Sequence, residues 1–215
     1  MSLTHFNELR SYGVDIFTGG NHTFEREDTM KLVADDGRPV TCPGNIMNRK
    51  FPAYKIYSIG SETIFVASIM GTAYPEISNK PFYNQLQFAD ELVEYINQLK
   101  PTISIVNFHG DLSSEKVTIG HYLDGKVNAV IGDHWHVPTI DHRILPKGTA
   151  HVSDVGMCGS LDSSLGATYE TVVSRWSGTK TKLQIEESGP MQINGLIMEF
   201  KSQKCINVAR LRTIY

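Results

Sequence analysis

Apolar positions along this chain fall into short β-branched runs, and three of those runs stop at glycine and histidine. They are Val14-Asp15-Ile16-Phe17-Thr18 before Gly19-Gly20-Asn21-His22, Ile103 to Phe108 before His109-Gly110, and Val127 to Ile131 before Gly132-Asp133-His134-Trp135-His136. Runs of this kind, ending in polar and glycine residues, predict buried strands. Between them the period changes. Leu3 to Tyr12 predicts a helix with Leu3, Phe6 and Leu9 on one face and Gly13 as its stop. Glu25 to Ala34 predicts a second helix with acidic residues in its first turn. Leu86 to Leu99 is the clearest helix, its stripe being Leu86, Phe88, Ala89, Leu92, Val93, Ile96 and Leu99. Ser113 to about Leu123 predicts a further helix. Ala53 to Ser58 and Glu62 to Ile69 predict a hairpin, and Gly71 to Pro81 a loop.

After His136 the pattern shifts toward strands. Thr149 to Val155, Thr181 to Glu186, Gln192 to Lys201 and Cys205 to Thr213 all read as strands, the last two joined by the turn Ser202-Gln203-Lys204. Tyr169 to Trp176 predicts a short helix. Helix–strand alternation fills the first two-thirds, and no repeat or linker divides residues 1–215, so one α/β domain is expected.

Open α/β sheets gather ligands beyond the carboxyl ends of their strands. If the three histidine-ended strands share a sheet and a direction, Asn21, His22, His109, His134 and His136 meet at one edge. Period-two spacing puts His134 and His136 on one face of an extended segment. Imidazoles and an amide oxygen there have the chemistry of a metal site. Asp111 and Asp133 lie beside His109 and His134, where each either orients an imidazole or faces solvent. Asp154 precedes the loop Gly156-Met157-Cys158-Gly159 and serves as a turn aspartate or, with Gly156, shapes a substrate pocket. His5, His121, His142 and His151 show no partner pattern.

Composition narrows the function classes. The net charge of −3 in 215 residues argues against an extended nucleic-acid surface. No apolar run approaches the roughly 20 residues of a membrane span, and the N-terminus has no signal-peptide pattern, so no membrane partner is expected. Three unspaced cysteines predict reduced thiols in a cytoplasmic setting, with Cys42 buried.

Gly20-Asn21-His22 and Gly132-Asp133-His134-Trp135-His136 resemble the Gly-Asn-His and Gly-His-x-His elements of the calcineurin-like metallophosphoesterases, the second with one extra residue after its glycine. The resemblance is closer to the bacterial YmdB-like branch. It is carried by Gly20 to Phe24, by Phe108-His109-Gly110-Asp111 with Ser114-Glu115-Lys116, by Arg143 to Ala150, and by Asp154 to Met157. It implies two facing mixed β-sheets flanked by helices, an α/β/β/α sandwich. It also implies a metal-dependent phosphodiesterase acting on cyclic nucleotides or similar small phosphodiesters. Asn21, His109 and His134 would hold one divalent ion, iron, manganese or zinc, and His136 a second, while His22 would protonate the leaving oxygen.

The family opens with a strand ending in Gly-Asp and a second ending in Asn-Gly-Glu-Asn, and neither stands ahead of Gly20 here. A βαβ-sized unit of roughly 30 residues is therefore expected to be missing. Two divalent ions about 3.5–4 Å apart need anionic ligands between them, and three imidazoles and an amide are neutral. The expectation is one ion or none and an impaired enzyme, with open sheet edges favouring homo-oligomers. The alternative is a non-catalytic regulatory or binding remnant of the same fold. A third reading is a zinc hydrolase of another fold built on His109, His134 and His136.

Overall fold

A computed structural model describes residues 1–72 and 82–215, so most of the loop expected over Gly71 to Pro81 lies outside the described residues. The helices are α1 (Leu3–Ser11), α2 (Glu27–Ala34), α3 (Gln85–Leu99), α4 (Ser113–Tyr122) and α5 (Tyr169–Trp176). The strands are β1 (Tyr54–Ile59), β2 (Glu62–Met70), β3 (Ile103–His109), β4 (Ala129–Asp133), β5 (Arg143–Ile144), β6 (Ala150–Val152), β7 (Gly159–Ser160), β8 (Met191–Lys201) and β9 (Lys204–Ile214). A six-stranded sheet runs β1-β2-β3-β4-β6-β5 and a three-stranded sheet runs β7-β8-β9. β2, β3, β4 and β6 are parallel, with antiparallel edges at β1 and β5.

Side-chain parity decides what covers each face. Phe65, Ala67 and Ile69 of β2, Val106 and Phe108 of β3 and Val130 of β4 pack against Phe88, Ala89 and Leu92 of α3 and Ile119 of α4. The opposite face presents Ile105, Ala129, Ile131 and Ala150 to Met198, Phe200, Cys205 and Val208 of β8 and β9. The alanines let the two sheets approach closely. The result is two facing sheets with helices outside, as the resemblance implies; the second sheet is antiparallel throughout where the resemblance implies a mixed one, because hairpin chemistry builds it. Its turn, Ser202-Gln203, has φ of 48° and 64°, the paired left-handed geometry that matches strand twist.

Local chemistry sets the helix ends. Asn84 accepts from the N–H groups of Leu86 and Gln87 to start α3, and Lys100 ends it in the left-handed region ahead of Pro101. Leu99, expected on the buried stripe, is 47% exposed.

Two expected strands do not form. In Val14 to Thr18 only Phe17 pairs, bridging Val40, and one bridge is not a ladder. Thr181 to Glu186 makes a single bridge, Ile185 to Ala167, with Ile185 76% exposed. Leu183 is exposed as well, so the apolar side of that segment covers no core. Cys42 and Cys205 are buried and Cys158 is exposed. Among the described residues no helix is long and apolar enough to cross a membrane.

His151 on β6 is 1% exposed. Its Nδ1 lies 3.2 Å from the Val130 carbonyl, and its Nε2 has no hydrogen-bond partner among the described residues. Burial pushes its pKa below the ordinary histidine value. An unfolded chain titrates this ring near 6.5, so below that pH the unfolded state binds more protons and stability falls. One such ring gives a slope of at most about 1.4 kcal/mol per pH unit. Thermal unfolding at pH 7.5, 6.5 and 5.5 is expected to show a falling midpoint, and His151→Gln a flatter profile. An unchanged slope in His151→Gln would assign the effect to other groups.

Candidate active site

Register brings the site together. Met70 of β2 stands beside His109 of β3, and His109 beside Asp133 of β4, all at the carboxyl edge of the parallel strands. His109 and Asp133 have the same parity as Ile105 and Ile131, so both project on the face toward the second sheet. Their side chains meet: His109 Nδ1 lies 2.9 Å from Asp133 Oδ1. The other ring nitrogen, Nε2, lies 2.9 Å from Asn21 Oδ1.

Asn21 opens a short 3-10 turn, Asn21–Glu25. That turn is tethered to the sheet by Ser68, whose single hydroxyl proton is shared between the Gly19 carbonyl oxygen and Asn107 Oδ1, each 2.9 Å from Oγ. Gly20 passes directly over the His109 ring: a Cβ there would stand 2.2 Å from its Cε1. Only glycine allows that approach.

His134 follows β4 with its ring edge-to-face against His109, centroids 4.9 Å apart. Its Nε2 is 3.8 Å from Asp111 Oδ1. Burial, with His109 alongside, pushes the His134 pKa below its usual value, against an upward pull from Asp111. The neutral, ligand-competent form is favoured near pH 7. His22 turns outward instead. Its side chain is 78% exposed, and its Nδ1 sits 2.7 Å from Glu25 Oε1. His136 lies on the exposed loop after β4 at φ 66°, its carbonyl accepting the Met157 N–H. Asn21, His109 and His134 thus gather with Asp133 behind them, while His22 faces outward against Glu25 and His136 stays on the exposed loop.

Asp154, 1% exposed, lies beneath the site. Its Oδ2 accepts the Trp135 N–H at 2.7 Å and its Oδ1 the Gly156 N–H at 2.9 Å. Gly156 takes φ of 86°. Lys116 of α4 reaches the same carboxylate from below. Sequence reasoning gave neither Lys116 nor Glu25 a role. A signal for Lys116 was present: it shares a helical face with Ile119 and Leu123, three and seven positions on, and so points to the core.

The donor set can be tested against a bound cation. A neutral imidazole carries one N–H. With that proton on Nδ1 facing Asp133, the Nε2 lone pair points at the Asn21 carbonyl oxygen, another lone pair. Two donors each about 2.1 Å from one ion at a right angle stand about 3 Å apart, which matches the 2.9 Å separation. Asp133 behind the ring completes a carboxylate–histidine pair of the kind that orients metal-binding imidazoles. The arrangement fits a single divalent ion at Asn21 and His109 with His134 beside them. Among the described residues no three His, Cys, Asp or Glu side chains form a ready cage.

Comparison with known proteins agrees in fold. The sequence model of the family described as "YmdB-like protein" matches residues 1–211. The 2′,3′-cyclic-nucleotide 2′-phosphodiesterase of Bacillus subtilis is 31% identical over 214 residues, covering 96% of this chain and 77% of that protein. A solved structure of a hypothetical protein from Thermus thermophilus superposes with a TM-score of 0.88 at 27% identity, covering 100% of this chain and 82% of the other. A novel phosphatase from Mycoplasma pneumoniae gives 0.86 at 27% identity, covering 100% and 77%.

Proposed function

This chain belongs to the YmdB-like family, and from that premise we propose that it hydrolyses 2′,3′-cyclic nucleotides or similar small phosphodiesters at the edge formed by Asn21, His22, His109 and His134. Its place in that family makes it a phosphodiesterase. The observation that carries the site is the 2.9 Å approach of His109 Nε2 to Asn21 Oδ1, with Asp133 locked behind the ring.

Asn21, His109 and His134 would hold a divalent ion, and by the family resemblance His136 would ligate a second. An ion there supplies positive charge to the phosphate oxygens and lowers the pKa of water. Asp133 fixes the His109 tautomer, leaving Nε2 as a lone pair. As an imidazolium donating through Nδ1 to Glu25, His22 would present its second proton at Nε2. In the reaction a water oxygen bonds to phosphorus and its proton passes to solvent, the ester P–O bond breaks, and the leaving oxygen takes the His22 proton, which solvent returns to the ring.

The relatives named as enzymes favour this reading over a non-catalytic remnant, and the family match favours it over a three-histidine zinc hydrolase. Turnover of bis-p-nitrophenyl phosphate and of 2′,3′-cyclic AMP with manganese is the direct test. His22→Ala is expected to lower kcat at least about a hundredfold while leaving manganese affinity unchanged. Equal loss of both would remove the acid role from His22. Absence of turnover on either substrate with manganese, iron or zinc would overturn the proposal.

A further inference from the structure

Resting on the ion-binding reading above, we propose that Lys116 and Asp154 are positioning residues that fix His134 and His136 for that site. Lys116 is fully buried and Asp154 nearly so. The ammonium of Lys116 donates to the Asp133 carbonyl, to the Ser153 carbonyl at 2.9 Å and to Asp154 Oδ2 at 3.3 Å. One side chain from α4 therefore ties the end of β4 to the end of β6.

The two histidines need this support. His134 has φ of 107° and His136 φ of 66°, backbone that L side chains rarely adopt and that persists only where the surroundings over-determine it. Trp135 lies between them, and its N–H is the one held by Asp154 at 2.7 Å. Its ring lies over the Lys116 ammonium, 4.4 Å from Nζ to centroid, and its Nε1–H donates to the Asp111 carbonyl at 3.0 Å. On the far side Arg210 of β9 donates to the carbonyls of Thr139, Asp154 and Val155. A buried ion pair is seldom needed for stability alone, since well-packed apolar side chains often serve as well. Here the contacts of the pair converge on the segment that carries the histidines.

Titration of the full chain with manganese, by calorimetry, tests this. Asp154→Asn and Lys116→Met are each expected to weaken manganese binding 10–100-fold, the range for residues that orient ligands. The double variant Lys116→Met/Asp154→Leu removes both charges together. Its thermal stability is expected to recover toward that of the unsubstituted chain, while its manganese affinity stays low. Glu91→Gln, at the separate Arg49–Glu91 pair, is expected to leave affinity unchanged. Ring ¹⁵N resonances of His134, recorded without metal, should shift in the Asp154 and Lys116 variants only. A folded Asp154→Asn or double variant that keeps both the original affinity and the original His134 resonances would overturn the proposal. If the unsubstituted chain binds no manganese, the ion-binding reading fails instead, and the metal-free resonances decide the positioning role alone.

Discussion

His109→Ala is expected to reduce phosphodiester turnover by about a thousandfold or more, a loss of about 4 kcal/mol in transition-state stabilisation. The ring touches both halves of the site, with Asn21 Oδ1 at 2.9 Å on one nitrogen and Asp133 Oδ1 at 2.9 Å on the other. Those partners come from segments 88 and 24 positions away, so alanine separates them at a stroke. The fold should survive. His109 is the last residue of β3, and the apolar packing of that strand rests on Val106 and Phe108. Asp133→Asn is expected to cost less, about 10–100-fold, because it disturbs ring orientation without removing the donor. Steady-state kinetics with manganese, beside circular dichroism of each variant, checks the order. Turnover in folded His109→Ala equal to that of the unsubstituted chain would move the active site elsewhere.

Gly132→Ala is expected to strike the fold itself, by more than about 4 kcal/mol. A Cβ at this position would stand 1.9 Å from the Ser153 carbonyl oxygen and 2.7 Å from the Ser153 carbonyl carbon. Both atoms belong to the backbone directly after β6, which Lys116 and Arg210 hold in place. No rotamer change can relieve the clash, so β4 and the chain after β6 must part. That also breaks the bond from the Val155 N–H to the Gly132 carbonyl. The expected readout is failure to accumulate as soluble protein, or a large drop in the denaturant midpoint. A midpoint within 1 M urea of the unsubstituted chain, roughly 1–3 kcal/mol, would contradict it.

The parts of the site legible in the sequence were those that depend on strand parity. A β-branched run ending in His109 and another ending in Gly132-Asp133-His134 are enough to align two histidines at one edge. The adjacency of Asp133 to His109 needed the register, because Asp133 is also sequence neighbour to His134 and could have served either ring. The sheet pairs it with His109. Lys116 was missed for a different reason: burying an ammonium is unfavourable unless it is paired, and its partners, two carbonyls and Asp154, lie 17 to 38 positions away. The errors at Val14 to Thr18 and Thr181 to Glu186 share one cause. Apolar alternation reports a tendency to extend, but a strand also requires a neighbour with matching free N–H and C=O groups, and these two segments find one residue each.

The β8–β9 hairpin closes across a two-residue turn, whereas the contact between Asn21 and His109 joins positions 88 apart. Short loops close in well under a microsecond and hairpins in microseconds, while long-range parallel pairing waits on chain diffusion. The second sheet can therefore zip up early, and the catalytic edge is completed only when β2, β3 and β4 have aligned and the Gly20 turn has settled onto them. A ligand of this edge recognises the finished molecule and none of its precursors, so adding one slows unfolding and leaves the folding rate untouched.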